Sequence, residues 1–173
     1  SMPMKAQMLE IDIDHSEEWP DNVNWQALAE RAVAAAVEVS SHGWLANAPF
    51  AASFSISLSD DAEVQRLNSQ WCGKDKPTNV LSFPMIDGSS FDALSNTDDG
   101  EVLIGDMILA HGVCADEAGE KDIPLADHIS HLIVHDTLHL LGYDHIEELA
   151  GDHMEELEAK ALASLGLANP YDA

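Results

Sequence analysis

Between positions 135 and 145 the chain reads His135-Asp136-Thr137-Leu138-His139-Leu140-Leu141-Gly142-Tyr143-Asp144-His145, and six of its nine histidines fall between His128 and His153. On an α-helix, residues four apart are offset by roughly 40° and about 6 Å along the axis, so His135 and His139 can reach one ion from one face. His145, six residues beyond His139, would swing roughly 120° out of line and about 9 Å further along if the helix continued. The helix must therefore stop. Gly142 stands where a residue with positive φ reverses the chain and returns His145 to the other two. Three neutral imidazoles suit a borderline-soft divalent cation, and three protein ligands leave a fourth tetrahedral position for water, the pattern of a catalytic rather than a structural zinc. Water held there ionises near neutral pH. A lone histidine pair at this spacing is more often an accident of surface or core; the glycine and the third histidine reverse that balance.

The neighbours of the triad leave choices open. His131, one turn before His135, is either a fourth ligand or a residue that orients the site from behind. Asp136 is either a general base acting through the ion's water or a helix residue that is solvated or supports the site from behind the ligands. Asp144 accepts a spare imidazole N–H or caps the last helix. His15, His42, His128 and His153 read as structural or exposed.

The rest of the chain predicts one α+β domain over residues 1–173, with about four strands in a mixed sheet and helices packed on it. Leu9, Ile11 and Ile13 alternate with acids, as in a sheet-edge strand, and Phe54, Ile56 and Leu58 alternate with serines. Val80 to Phe83 reads as a third strand, closed by Pro84, and Val102 to Leu109 as a strand buried on both faces. Helices are expected after Asn24, with apolar residues from Leu28 to Val37; after Asp60 and Asp61; from Pro124 to Gly142; and from Glu147 and Glu148 to Gly166. Residues 86–100, rich in Ser, Asp and Asn from Gly88 on, are expected to form a mobile surface loop, a lid or a solvated connector. Ser1 before Met2 looks like a cleaved-tag scar, and residues 1–3 are set aside from the fold.

Composition limits the partners. Of 173 residues, 32 are acidic and 7 basic, giving a formal charge of −25. Such a chain repels phosphate backbones and anionic lipid at long range, so a nucleic-acid role needs a local basic patch or a bound cation. Arg66, Lys74 and Lys76 form the one concentrated basic stretch and are the candidate phosphate contacts, although Lys74 and Asp75 equally suit the ordering of a loop. Cys72 and Cys114 are far from any C-x-x-C pattern and too few for a disulfide scaffold, which points to a reducing cytoplasm. No apolar run approaches the roughly 18 residues of a membrane span.

Two families resemble the histidine segment. H-[DE]-x-x-H-x-x-G-x-x-H is similar to the metzincin protease signature, with Asp136 in the place of the general base. The ending Leu138-His139-Leu140-Leu141-Gly142-Tyr143-Asp144-His145 more closely resembles that of the YbeY family of bacterial rRNA maturation endoribonucleases. Upstream, Leu67-Asn68-Ser69-Gln70-Trp71-Cys72-Gly73-Lys74-Asp75-Lys76-Pro77-Thr78-Asn79-Val80-Leu81-Ser82-Phe83-Pro84 resembles the L-N-x-x-[YW]-R-x-K-D-x-P-T-[DN]-V-L-S-F-P segment of that family, which metzincins lack, and Ile104-Gly105-Asp106-Met107 resembles its G-D-I strand. The resemblance implies a zincin-like metal helix and one Zn²⁺ per chain held by His135, His139 and His145. It also implies a single-strand-specific endoribonuclease acting at the 3′ end of small-subunit rRNA and in ribosome quality control, with the ribosome and its proteins as partners and neither DNA nor membrane among them.

Two positions depart from the family pattern: Cys72 replaces an Arg implicated in activity and RNA contact, and Asp136 replaces a Gly. A thiol offers neither the charge nor the bidentate fork of a guanidinium. Cys72 is thus either a fourth soft ligand or an inert small side chain. Two other functions stay open on the sequence: a metzincin-like metalloprotease, and a non-catalytic ribosome assembly factor with a structural metal.

Overall fold

The computed structural model describes residues 9–144 and 148–172. The expected tag remnant at 1–3 and the third proposed ligand, His145, lie outside these residues, as does Glu147.

Strand β1 (Glu10–His15) leads to helix α1 (Trp25–Val39), a short 3-10 helix (Gly43–Asn47) and strand β2 (Ala51–Ser59). Helix α2 (Asp61–Cys72), strand β3 (Val80–Pro84), a second 3-10 helix (Gly88–Asn96) and strand β4 (Glu101–Ala110) follow. Helices α3 (His111–Glu120), α4 (Leu125–Leu140) and α5 (Glu148–Ser164) complete the order. The sheet runs β1-β2-β4-β3, with β1, β2 and β4 parallel and β3 antiparallel to β4. This is the expected mixed α+β sheet, with β1 on the edge where its alternating acids face water.

The capping residues act as read. Asn24 accepts from the Ala27 N–H at 3.0 Å and Asp60 from the Glu63 N–H at 2.8 Å, each satisfying a donor that its helix leaves unpaired. Along β4, Ile104, Met107 and Leu109 enter the main core with α1 and α4, while Ile108 and Ala110 pack with Val64 and Leu67 of α2 on the other face. Period-two alternation with apolar residues on both sides is what a strand sandwiched between helices requires.

Two elements differ from the expectation. Helix α3 went unread because Gly112, Gly119 and three acids interrupt its apolar stripe, leaving Cys114 and Ala118 as its buried residues. Residues 86–100, expected as a loop without regular structure, contain the second 3-10 helix. It is anchored by Phe91, which is buried and stacked on His42 with ring centroids 4.5 Å apart. One large aromatic in a polar stretch is enough to order it through burial. Among the described residues, no helix is long and apolar enough to cross a membrane.

Candidate metal centre

The C-terminal end of α4 is built to stop. Gly142 adopts φ 103°, its N–H donates to the His139 carbonyl at 3.0 Å, and the Tyr143 N–H donates to the Leu138 carbonyl at 3.0 Å. This pair of bonds is a Schellman ending, which needs a residue free of the Cβ penalty at the left-handed step. The reversal is then pinned from outside. The Tyr143 hydroxyl accepts from the Ser41 N–H at 2.8 Å, just past the end of α1. The turn also brings the Tyr143 carbonyl back onto α4, where it accepts from His139 Nδ1 at 3.0 Å.

His135 and His139 meet as their spacing predicts. Their Nε2 atoms lie 3.1 Å apart, with ring planes nearly perpendicular. Each ring is oriented by its far nitrogen, since His135 Nδ1 donates to Glu158 Oε1 and His139 Nδ1 to the Tyr143 carbonyl. A neutral imidazole that carries its proton on Nδ1 has a lone pair on Nε2. Two Nε2 atoms therefore face one point, where a shared proton or a metal ion would satisfy both, and the donor set is one that divalent zinc favours. The residues present fit a metal ion.

Asp136 stands beside them. Ligand-capable atoms of His135, Asp136 and His139 lie within 4.8 Å of one another. Asp136 is buried, which corrects the reading of it as a solvated helix residue: the α4 turn that points His135 and His139 toward the cleft leaves position 136 against the sheet. Burial pushes its carboxyl up to about 7, opposed by His135 and reinforced by Glu158. Its Oδ2 has no hydrogen-bond partner among the described residues, an orphaned acceptor at a place where a cation or a proton would satisfy it.

A cleft of about 460 Å³ opens in front of these groups, lined by Asn79, Val80, Leu81, Ser82 and Pro84 of the β3 segment and by His135, Asp136, His139 and Leu140. Gly105 of β4 sets its depth. A Cβ there would lie 2.6 Å from Leu140 Cδ2 and 2.9 Å from the Phe83 carbonyl, so the bare backbone lets the end of α4 approach the sheet. Asn79, at the entry to β3, donates to Glu117 at 3.1 Å, and Glu117 accepts from His128 Nε2 at 2.9 Å. This chain ties the cleft wall to α3 and α4.

Sequence reasoning missed Glu158. It is fully buried on α5, and its carboxylate accepts from His135 Nδ1, from His131 Nε2 at 3.2 Å and from the Tyr171 hydroxyl. Burial alone would raise its pKa, but these three donors hold it well below the usual carboxylate range. The signal was present: Glu158 sits among buried Met154, Ala161 and Leu162 at helical spacing, a carboxylate on an apolar stripe. His131 meets Glu158 on the side away from the His135–His139 pair of Nε2 atoms, which supports the orienting reading. His131, His135 and Glu158 also form a second group of ligand-capable atoms within 4.8 Å.

The basic residues do not converge on the cleft. Arg66 is bound by Glu63, with Nη2 to Oε1 at 2.8 Å, and neither it nor Lys74 nor Lys76 lines the cleft. The loop holding the lysines is ordered by Asn68 Nδ2 donating to the Lys76 carbonyl at 2.8 Å and by Gln65 Nε2 donating to the Asp75 carboxylate at 3.0 Å. Cys72 is exposed at the end of α2 and belongs to no ligand group among the described residues, which favours the inert reading over the soft ligand.

Residues 10–166 match the family model described as Endoribonuclease YbeY. The chain belongs to the YbeY family. Curated relatives named Endoribonuclease YbeY agree: one from Rhizorhabdus wittichii is 52% identical over 95% of this chain and 97% of its own length, and one from Sphingopyxis alaskensis is 50% identical over 95% and 98%. Among solved structures, the solution structure of TM1509 from Thermotoga maritima has a TM-score of 0.54 and 18% identity, covering 94% of this chain and 99% of that one, a likeness of fold.

Proposed function

We propose that this chain is a metal-dependent endoribonuclease that cleaves single-stranded RNA in the maturation of small-subunit rRNA and in ribosome quality control. One observation carries the reading: His135 and His139 direct two imidazole lone pairs to one point beside a cleft walled by the extended β3 segment. Membership of a family whose relatives bear the name endoribonuclease supports the reaction class.

His135, His139 and His145 would hold the ion, most suitably zinc, one per chain. When bound, such an ion supplies Lewis acidity toward a phosphoryl oxygen and acidifies water or an adjacent 2′-hydroxyl. The protein's own contribution is positional. Asp136, buried at the floor of the cleft, is the proton acceptor within reach, and His131 braces the site from behind through Glu158. The β3 segment presents polar Asn79 and Ser82 along the wall where an RNA strand would lie. Lys74 and Lys76, exposed on the loop before β3, would meet phosphates outside the cleft, with Arg66 held in reserve by Glu63.

A cation held there would offset locally the field of a chain with net charge −25, and ribosomal proteins presenting the rRNA would remove the need for long-range steering. Action on ribosomes places the protein in the cytoplasm. The protease reading shares only the histidine helix, whereas the YbeY match extends over residues 10–166. The test is cleavage of single-stranded RNA by the full chain with and without added zinc, beside a peptide substrate. Metal-dependent RNA cleavage is expected; peptide cleavage alone, or RNA cleavage indifferent to metal, would overturn the proposal.

A further inference from the structure

Helix α5 carries a buried acid, Glu158, that does not itself line the cleft. A carboxylate taken fully out of water is strongly disfavoured unless donors surround it. Glu158 has them: His135, His131 and Tyr171 each donate to it. Of these, Tyr171 comes from beyond α5. After Ser164 the chain turns, with the Leu167 N–H bonded to the Leu162 carbonyl at 2.9 Å, and Leu167 packs against the core. The Tyr171 N–H donates to Asn169 Oδ1 at 2.9 Å, which fixes the local bend. Its ring stands edge-on to His131 at 5.9 Å, so the segment after α5 lies back over the α4 face that bears His131 and His135.

Resting on the metal reading above, we propose that Glu158 and Tyr171 are positioning residues for the ion: Tyr171 Oη holds the Glu158 carboxylate, and Glu158 holds His135 as the Nδ1–H tautomer with Nε2 facing the cleft. The physical reason is tautomer choice. An imidazole free to place its proton on either nitrogen offers the metal a lone pair only part of the time, and a carboxylate on Nδ1 both removes that freedom and strengthens the opposite lone pair. Among the described residues, His139 Nδ1 meets a neutral backbone carbonyl, that of Tyr143, in that place. His135 is therefore the better-prepared donor, and the segment after α5 is part of the site without touching the cleft.

Zinc affinity of the purified full chain, measured by chelator competition at one pH, tests this, with cobalt absorption as a report on the ligands themselves. Glu158→Gln should bind zinc roughly 10–100-fold more weakly and Tyr171→Phe about tenfold more weakly, the range for partners that orient a ligand. The cobalt bands of both variants should match those of the parent, because the ligating atoms are unchanged. Tyr171 is 41% exposed, so Tyr171→Phe should fold even if Glu158→Gln does not. Zinc affinity of Tyr171→Phe within about twofold of the parent would overturn the proposal, as would a shifted cobalt spectrum in Glu158→Gln, which would make Glu158 a ligand. A parent chain that binds no zinc would overturn the metal reading itself.

Discussion

Nε2 of His135 and Nε2 of His139 lie 3.1 Å apart while both Nδ1 atoms donate elsewhere, to a buried carboxylate and to a backbone carbonyl. With both Nδ1 protons engaged, the rings can share a proton between their Nε2 atoms only if one of them becomes imidazolium, and a divalent cation would take that proton's place. The pair is thus held in the state a divalent cation needs before any cation arrives, and that preparation reduces what binding must spend on ordering the ligands.

Chain purified without chelator should contain about one zinc, and ligand loss should be visible in both metal content and stability. At zinc a hundredfold above Kd, binding adds about 2.7 kcal/mol to the native state. His135→Ala and His139→Ala should lack the zinc-dependent rise in Tm and lose RNA cleavage. Metal analysis together with thermal unfolding checks this, and unchanged metal content would count against the ligand set.

Restoring the family guanidinium should raise activity. Cys72 is exposed at the end of α2, so Cys72→Arg should change stability by no more than about 0.5 kcal/mol. Cleavage of single-stranded RNA at saturating zinc should rise if the missing bidentate phosphate contact limits the rate. An unchanged rate would mean that another group has assumed the role.

Gly105→Ala should destabilise the protein by about 1–3 kcal/mol, read from the urea midpoint, because the new methyl meets the Phe83 carbonyl and Leu140. Leu140 follows His139 directly, so displacement of that helix end should also weaken zinc binding. Zinc affinity equal to that of the parent would show that the end of α4 absorbs the strain elsewhere.

His128 predicts a pH dependence of stability. Burial holds its imidazole below the usual value, Glu117 pulls the other way, and Lys121 and His131 push it further down. The unfolded chain therefore takes up this proton first. The contribution is complete above about pH 6.5 and is lost as pH falls through that value toward the lower folded pKa. Urea midpoints of the parent and of His128→Asn should converge on acidification from about pH 7 to 5. Divergence would mean that His128 is charged in the fold.

Elements with strong local signals were legible in the chain. Asn24 and Asp60 start helices because a short side-chain acceptor meets an unpaired N–H, and α4 carries a stripe from Leu125 to Leu141 wide enough to be central. The His135–His139 pairing and the stop at Gly142 follow from helical pitch and from the positive φ that glycine permits. Helix α3 had no comparable stripe, and Phe91 ordered its 3-10 helix through a distant partner, His42.

Residues within one turn of each other determined where a metal ligand pair can form, because backbone geometry alone sets their offset. Which way the His135 ring faces was decided only by the packed molecule, whereas the His139 ring is set locally by the Tyr143 carbonyl. Glu158 reaches His135 from α5, Tyr171 reaches Glu158 from beyond α5, and Ser41 meets Tyr143 just past the end of α4; hydrogen bonds of that kind exist only after the helices have docked. The burial of Asp136 belongs to the same class, because only the packed molecule removes its solvent.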